Sequence, residues 1–355
     1  MALSIGIVGL PNVGKSTLFY ALTKKEVERG SYAFSTTEPN VGVVTVPDPR
    51  VDQLAALYHS RKKVYASVEF VDVPGLVEGS SQGEGLGNKF LAGIRLTDAI
   101  LFILRAFQSE EVLHSGPRID PLWDREILET EILLKDLETV GRRAETLEKE
   151  VKVGKGEQNS EWEAISKAHH LLKEGKPLVE VAWNEEERKL LRGYQLLSLK
   201  PRLYLLNCTG AGVAQETLQE FQTHDWPYLA MDALTAAEAG DFSREERIEL
   251  GLDPEFEVDQ LIRQSYRLLD LITFLTIGPD ETRAWTIRRG MTAQQAGGVI
   301  HTDFEKHFIR ALVIPWRDLL QVGGFPQGRE KGLVRTEGKG YIVQDGDVID
   351  ILHNA

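Results

Sequence analysis

The string Gly9-Leu-Pro-Asn-Val-Gly14-Lys15-Ser16 has the residue types and spacing of a phosphate-binding loop. It follows an apolar run at residues 5–8 and precedes a helical pattern at 16–23. Glycines let the backbone wrap around a polyphosphate, and N–H groups at a helix N-terminus attract negative charge. We expect Lys15 to reach the β- and γ-phosphates and Ser16 to ligate Mg²⁺. The remaining nucleotide contacts are expected from Pro11, Asn12, Val13, Gly14 and Thr17.

A second motif, Asp72-Val-Pro-Gly75, ends an apolar run at residues 68–71. An aspartate in this position can hold Mg²⁺ through water, and the N–H of Gly75 can turn toward a γ-phosphate. In the loop between the two motifs we expect Thr36, in preference to Thr37, to complete the Mg²⁺ shell when a γ-phosphate is bound. The three segments together predict a P-loop nucleoside triphosphatase of the GTPase superfamily.

The residue after the second motif is Leu76, where many GTPases have a glutamine that orients the attacking water. Because leucine has no hydrogen-bonding group, the water must be positioned by the backbone, an ion, another side chain or a partner. We therefore expect slow intrinsic hydrolysis. Two alternatives remain open: a nucleotide-dependent binding module with vestigial hydrolysis, and a small-molecule P-loop kinase, for which the sequence shows no arginine-rich lid.

The elements around these motifs predict an α/β fold. Apolar runs at 5–8, 68–71, 100–104 and 203–206 each precede a polar loop, and helical patterns separate them. This alternation is typical of a parallel-type sheet covered on both faces. Residues 124–192 are instead rich in Glu, Lys and Leu at helical spacing, which predicts two long helices in an antiparallel hairpin inserted into the α/β domain.

The end of the chain has a third pattern. Short β-like runs at 283–287, 308–313 and 341–343 are separated by Gly and Asp. They predict a small, β-rich domain that begins near Thr276.

The composition limits the class of protein and its partners. The 355 residues carry a formal net charge of −13, so any nucleic-acid contact needs a local basic patch. The single cysteine, Cys208, cannot form an intrachain disulfide, which is typical of a reducing compartment. The sequence has no signal-peptide pattern and no apolar run of about 18 residues. We expect a cytoplasmic monomer without a membrane span.

Several longer strings resemble the YchF family of Obg-related P-loop ATPases and GTPases. In the first part of the chain they are G-L-P-N-V-G-K-S-T-L-F, T-E-P-N-x-G-V-V, D-P-R-V-D-Q-L and G-E-G-L-G-N-K-F-L. In the last part, R-A-W-T-I, I-H-T-D-F-E-K-x-F-I-R-A and G-K-G-Y-I-V-Q-D-G-D-V are similar to the TGS domain of that family, a ubiquitin-like β-grasp. The similarity spans nearly the whole chain.

The resemblance implies a G domain, an inserted helical hairpin and a TGS domain. We place the G domain at 1–122 and 199–275, the insertion at 123–198 and the TGS domain at 276–355. The resemblance also implies ribosome association and a regulatory role in translation or the stress response. A ribosome or RNA contact is expected first on the TGS domain and second on the helical hairpin. The basic residues that could form a contact face on the TGS domain are Arg283, Arg288, Arg289, Lys306 and Arg310.

Two further site residues follow from related GTPases. The YchF family tends to have a histidine in the loop beyond the next strand, proposed to help place the attacking water, and His114 lies at the matching position. An imidazole there can hydrogen-bond a water molecule. Asn12 lies at the loop position that some K⁺-dependent GTPases use, so K⁺ is a second candidate cofactor beside Mg²⁺.

The sequence does not select one purine base. Guanine selection usually needs N-K-x-D, whose aspartate accepts hydrogen bonds from guanine, and the YchF family has N-x-x-E at this point. The matching string is Asn207-Cys208-Thr209-Gly210, which retains the nucleotide-binding asparagine and lacks the acid. Since nothing at Gly210 favours guanine or rejects adenine, we expect both ATP and GTP, with their diphosphates, to bind.

Overall fold

The computed structural model describes residues 3–27, 40–74, 86–109, 119–152, 159–240 and 257–354, with three single positions between 241 and 256. The chain packs into two compact units. The N-terminal unit comprises 3–42 and 69–257, and the C-terminal unit combines 43–68 with 258–355. The segment 43–68 therefore packs with the end of the chain, although it lies between the two phosphate-site motifs. The four-part scheme expected from the sequence stays a prediction.

The first sheet is six-stranded, with the order β2-β4-β1-β5-β6-β7, and lies in the N-terminal unit except for residues 43–45 of β2 and 67–68 of β4. Labels follow chain order through the whole protein. The strands are β1 Ser4–Gly9, β2 Asn40–Thr45, β4 Ser67–Asp72, β5 Ala99–Arg105, β6 Arg202–Asn207 and β7 Tyr228–Met231. Parallel pairing joins β4, β1, β5, β6 and β7 in that order. Since β1, β5 and β6 are buried along their whole length, the predicted α/β fold with a parallel-type sheet is confirmed.

Helices cover this sheet and extend from it. They are α1 Lys15–Val27, α3 Leu86–Arg95, α4 Pro121–Lys152, α5 Asn159–Lys173, α6 Glu185–Arg192, α7 Gln215–Thr223 and α8 Ala233–Ala239. Helices α4 and α5 form the predicted antiparallel hairpin, whose seam contains Val140, Leu147, Ile165 and Leu172. Within the described ranges, no helix has the length and apolar character needed to cross a membrane.

The C-terminal unit has a second six-stranded sheet, with the order β11-β10-β12-β8-β9-β3. Its strands are β3 Lys62–Val64, β8 Leu271–Thr276, β9 Glu281–Arg288, β10 Phe308–Pro315, β11 Arg335–Glu337 and β12 Asp347–His353. Its helices are α2 Pro49–Tyr58, α9 Glu257–Leu268, α10 Ala293–Ile300, α11 Thr302–Lys306, α12 Trp316–Val322 and α13 Phe325–Glu330. The hairpin β8–β9, with β12 parallel to β8 and β10 antiparallel to β12, is consistent with the predicted β-grasp.

The strand assignments in this unit differ from the sequence prediction in two ways, because one predicted run is not a strand and four strands were not predicted. The predicted run 341–343 forms only an isolated bridge, between Thr292 and Ile342, and the phenol of Tyr341 donates to the carboxylate of Asp347 at 2.8 Å. The strands that the sequence did not predict are β3, β8, β11 and β12.

Polar contacts attach the segment 43–68 to the rest of the C-terminal unit. Arg50 donates to the carboxylate of Asp345 at 2.8 Å, and the hydroxyl of Tyr58 accepts from the main-chain N of Phe325 at 2.9 Å. Strand β3 pairs in parallel with β9, and the hydroxyl of Ser60 donates to the carbonyl of Gly278 at 2.7 Å. These contacts explain why a segment of the predicted G domain belongs to the C-terminal unit.

Candidate nucleotide-binding site

The phosphate loop (residues 9–16) lies at the carboxyl end of the central strand of the N-terminal sheet. Strand β1 pairs with β4 on one side and β5 on the other, and all six of its residues are buried. Helix α1 begins at Lys15, directly after the loop. In an open parallel sheet, ligands bind in the crevice beyond the carboxyl ends of the strands. The predicted strand–loop–helix context is therefore present.

Gly14 occupies a position that no residue with a side chain can take without rearrangement. Its φ of 97° lies in the left-handed region, and a Cβ built on it would collide with the Nδ2 atom of Asn207. Asn12, two residues earlier, also has a positive φ of 63°, which asparagine tolerates better than most residues. Val13 between them is not among the residues of positive φ, so the hand alternates along the loop, and such alternation brings successive N–H groups to one side in anion-binding nests.

Asn207 joins the phosphate loop to two other elements. Its Nδ2 atom donates to the main-chain O of Val13 at 2.8 Å, and its Oδ1 atom accepts from the main-chain N of Ala233 at 3.0 Å. Its own carbonyl accepts from the main-chain N of Ala106 at 2.8 Å. Since only 5% of the residue is exposed, these contacts hold the centre of the loop from the end of β6. One N–H and one oxygen lone pair of the amide are left over for a nucleotide. The predicted contact of Asn207 with a nucleotide stays a prediction.

Lys15 and Asp72 form an ion pair between the two motifs. The Nζ atom of Lys15 donates to Oδ1 of Asp72, and each side chain is 16% exposed. The register of β1 and β4 brings them together, because Asp72 lies opposite Ile7 at the carboxyl end of β4. An ammonium group, a carboxylate and the N-terminus of α1 thus meet at one edge of the sheet.

The first turn of α1 supplies the remaining predicted residues. Ser16 is exposed, while Pro11 and Thr17 are partly buried and Val13 is buried. No acidic residue lies in the first turn of α1, so its own side chains do not neutralise the positive end of the helix dipole. This end of the helix is available to an anion.

Three predicted residues, Thr36, Gly75 and His114, lie outside the described residues, as does Leu76. The site that the structure brings together is therefore the phosphate loop with Asp72 and Asn207. The roles expected for the other three stay predictions.

Sequence reasoning missed Arg105, the last residue of β5. Its side chain is fully buried, and its main-chain N donates to Oδ2 of Asp124 in the first turn of α4 at 3.0 Å. Its Nε atom donates to the carbonyl of Phe107 at 3.2 Å, and its guanidinium lies 4.4 Å from the centre of that ring. Burial lowers the pKa of the Arg105 guanidinium. The signal in the sequence was an arginine that ends an otherwise apolar strand.

A second missed set, the Glu129 network (Glu129, Arg202 and Tyr204), ties α4 to β6. Arg202 donates to Oε2 of Glu129, and the hydroxyl of Tyr204 donates to Oε1 of Glu129 at 2.6 Å. All three residues are buried, and burial followed by the Glu129 carboxylate raises the pKa of Tyr204. Strand β6 is thus held by α4 at its start and holds the phosphate loop at its end.

Two family models match the chain. One, described as "50S ribosome-binding GTPase", matches residues 4–138, which include the phosphate loop and Asp72. The other, YchF-GTPase_C, has the description "Protein of unknown function" and matches residues 271–354, the β8-to-β12 part of the C-terminal unit.

Whole proteins are also similar to this chain. "Ribosome-binding ATPase YchF" from Bacillus subtilis (strain 168) is 43% identical, with 100% of both chains covered, and the protein of the same name from Escherichia coli O157:H7 is 42% identical, again with 100% of both covered. The solved structure of the Schizosaccharomyces pombe YchF GTPase has a TM-score of 0.85 at 34% identity and covers 99% of this chain and 97% of its own. The phosphate loop on a parallel sheet, the inserted hairpin and the C-terminal sheet are thus shared over the full length, and the chain belongs to the YchF family of P-loop nucleotide-binding proteins.

Proposed function

We propose that this protein is a Mg²⁺-dependent purine nucleoside triphosphatase that hydrolyses ATP or GTP slowly and acts as a ribosome-associated regulatory switch. The observation that carries the proposal is the meeting of the phosphate loop, the Lys15–Asp72 pair and Asn207 at the carboxyl edge of one parallel sheet. Each group has a defined task toward a triphosphate.

Lys15 is the phosphate-binding cation in this proposal. When a triphosphate binds, its ammonium leaves the carboxylate of Asp72 and contacts the β- and γ-phosphates. The loop N–H groups and the N-terminus of α1 hold the remaining phosphate oxygens. The exchange is favourable because the phosphates carry more negative charge than one carboxylate.

The residues beside Lys15 also fit a magnesium ion. Mg²⁺ prefers oxygen ligands and keeps several of its waters. The exposed hydroxyl of Ser16 would be a direct ligand, and the carboxylate of Asp72 would hold the ion through water, with Thr36 as the expected third residue. Bound there, Mg²⁺ would neutralise charge on the β- and γ-phosphates.

Selection of the base is weak in this proposal. Asn207 has both ends of its amide engaged by main chain, so we assign it a positioning role toward the loop in addition to any contact with the base. Position 210 carries no carboxylate, and a Cβ placed on Gly210 would meet no atom of the described residues within 4 Å. Both ATP and GTP are therefore expected to bind, with Gly75 and His114 as the expected aids to hydrolysis and K⁺ as a candidate ion at Asn12.

The ribosome role rests on similarity. The relatives named above carry the words "Ribosome-binding ATPase" in their names, and we extend that partner to this chain. A net charge of −13 requires that such a contact use a local surface, and a cytoplasmic location follows from the partner.

The proposal is tested by binding and turnover in one preparation. Calorimetric titration of Mg·ATP and Mg·GTP into the wild type and Lys15→Ala should show binding only in the wild type. Lys189→Ala, which removes an exposed lysine of α6, is the matched control and should bind normally. Equal affinity of wild type and Lys15→Ala would overturn the site assignment.

Hydrolysis is then measured with and without purified 70S ribosomes. A rise in wild-type turnover that Lys15→Ala does not show supports the switch. Normal nucleotide binding without any turnover, with or without ribosomes, would instead indicate a binding module with vestigial hydrolysis.

A further inference from the structure

The C-terminal unit contains a cavity of about 540 Å³ that no part of the proposed nucleotide chemistry uses. Most of its lining is apolar or aromatic. The lining residues are Tyr58, Thr276, Ile277, Ile300, Phe304, Phe325, Pro326, Arg329, Ile349, Asp350 and Ile351. This volume and this mixture of many apolar residues with a few charged ones are typical of ligand pockets.

The cavity lies at the place in the C-terminal sheet where strand β12 extends beyond the end of the neighbouring strand β8. Strands β8 and β12 are parallel, with Leu275 opposite Val348. Since β8 ends at Thr276, it reaches only the level of Ile349, whereas β12 continues to His353. On its other edge β12 is paired with β10 as far as His353. Among the described strands, none continues β8 along Asp350–His353, so this edge of β12 forms the floor of the cavity.

The walls of the cavity lie on both faces of the sheet. Ile300 and Phe304 pack on the face that carries Ile349 and Ile351, in the core cluster with Val313. Helix α13 packs on the opposite face, because its Gly328 lies against Ile314, the neighbour of Val313 on β10. Phe325 and Pro326 of α13 therefore form the second wall. A peptide strand in this gap would have apolar surface on both of its faces. Its odd-numbered and its even-numbered side chains would therefore both contact apolar residues.

Two charged residues line the same cavity. Arg329 and Asp350 are both exposed, and in the described part of the chain neither side chain has an ion pair or a hydrogen bond. The guanidinium of Arg329 thus lines the cavity without an ion pair to Asp350 or to another described carboxylate, so its N–H donors can bind a carboxylate of a ligand.

We propose that this cavity binds the carboxyl-terminal residues of an extended apolar peptide. The peptide adds to the free edge of β12 through main-chain hydrogen bonds, places alternate side chains against Phe304 and Phe325, and brings its terminal carboxylate to Arg329. Addition of a strand at an exposed sheet edge and capture of a terminal carboxylate are both established modes of peptide recognition. The free edge of β12 allows the strand addition, and the guanidinium of Arg329 can bind the terminal carboxylate.

The test uses the full-length protein and the fluorescein-labelled peptide Gly-Ser-Lys-Val-Ile-Phe with a free carboxyl terminus, followed by fluorescence anisotropy. The same peptide with an amidated terminus is expected to bind about tenfold more weakly, because it lacks the charge-assisted contact with Arg329. Two further peptides carry a single N-methyl group, on the valine or on the isoleucine. Since alternate N–H groups of a strand point to the same edge, one of the two should lose binding and the other should retain it.

Variants of the protein locate the contact. Arg329→Gln should weaken the free-acid peptide to the level of the amide and leave the amide unchanged, whereas Arg267→Gln, at an exposed arginine of α9 outside the cavity, should change neither. Phe304→Ala should weaken both peptides, with thermal unfolding measured in parallel to show that the unit is folded. Equal binding of acid and amide, or equal effects of the two N-methyl groups, would overturn the proposal. So would a labelled oligouridylate that binds more tightly than the peptide, displaces it and loses affinity in Phe304→Ala, which would mark the cavity as an RNA site.

Discussion

Asn207 donates to the main-chain O of Val13 at 2.8 Å across 194 residues of sequence, so the end of β6 fixes the centre of the phosphate loop. The same side chain accepts from Ala233 at the start of α8. One carboxamide therefore connects three segments that belong to different parts of the chain. Its removal would leave a buried carbonyl and a buried N–H without partners, which is costly.

We expect Asn207→Ala to weaken Mg·ATP and Mg·GTP binding at least about tenfold, because the loop loses the support that orients its N–H groups. The free energy of unfolding should fall by about 1–3 kcal/mol for the two orphaned main-chain groups. Calorimetric titration measures the first effect and urea unfolding of the nucleotide-free protein measures the second.

The variant Asn207→Asp tests the hydrogen bond to Val13 separately from the loss of side-chain volume, because aspartate and asparagine have nearly the same size. Aspartate can still accept from Ala233, but as a carboxylate it cannot donate to Val13. It should therefore bind nucleotide as weakly as the alanine variant. If Asn207→Asp bound Mg·ATP like the wild type, the hydrogen bond to Val13 would have no role in binding.

The Lys15–Asp72 ion pair predicts that Asp72→Asn changes the affinity for ATP in opposite directions without and with Mg²⁺. In Asp72→Asn, Lys15 has no competing carboxylate, so ATP binding in EDTA should become tighter than in the wild type. With Mg²⁺ present, the same variant should bind ATP about 10–100-fold more weakly, because a group that holds the ion through water is lost. Titrations of ATP with and without Mg²⁺ check both signs. A change in the same direction in both conditions would contradict the assignment of Asp72 to the ion.

Base selectivity should respond to a single added carboxylate. Gly210 has no positive φ, and a Cβ there would meet nothing in the described part of the chain within 4 Å, so a side chain can be introduced without strain. Gly210→Asp supplies the acceptor for the guanine N–H groups and should raise the affinity for GTP relative to ATP by about tenfold or more. Gly210→Ala is the matched control and should leave the ratio unchanged. Competition titrations of ATP against GTP give the ratio directly, and an unchanged ratio in Gly210→Asp would show that the base does not reach this position.

The phosphate loop could be predicted from the sequence because its determinants are local. The two glycines, the lysine and the strand–loop–helix context all lie within the first 23 residues, and Asp72 marks the end of an apolar strand. The strands β1, β4, β5 and β6 could be predicted for the same reason, since each is a short apolar run. In each case the residue pattern within one segment was enough to predict the element.

The other features depend on contacts between distant segments. The packing of 43–68 with the C-terminal unit rests on a three-residue strand, Lys62–Val64, whose mixed polar composition carries no strand signal. Glu129 was indistinguishable from the solvated glutamates of α4, because only Arg202 and Tyr204 show that it is buried. Long-range pairing of polar groups therefore limited what the sequence could predict.

The stability of the C-terminal unit should depend on pH through the ionisation of Tyr341. Burial, followed by the hydrogen bond to Asp347, raises the pKa of Tyr341 from its ordinary value of 10.0 to about 12. A raised folded-state pKa means that the neutral phenol is favoured by folding. Its contribution to stability is therefore complete below pH 10.0 and is lost as the pH rises through about 12.

Tyr341→Phe should remove this part of the pH dependence. We expect the free energy of unfolding of the wild type, relative to the variant, to decrease between pH 10.0 and about 12. Urea unfolding at several pH values measures it, and ultraviolet titration of the phenolate gives the pKa independently. A difference between wild type and variant that stayed constant over this range would contradict the raised pKa.

Arg50 is one of the residues that attach 43–68 to the rest of the C-terminal unit. Its guanidinium contacts the carboxylates of Asp48 and Asp345, and Asp345 also accepts from the main-chain N of Thr273 in β8 at 2.9 Å. With only 17% of its side chain exposed, Arg50 leaves two carboxylates uncompensated when it is removed. Arg50→Leu should therefore lower the free energy of unfolding by about 1–3 kcal/mol and speed amide hydrogen exchange in β8. Arg61→Leu is the control, because the Arg61–Asp280 pair is 85% and 87% exposed and such pairs contribute little. Equal effects of the two substitutions on urea unfolding and on exchange at Thr273 would show that Arg50 does not hold this segment in place.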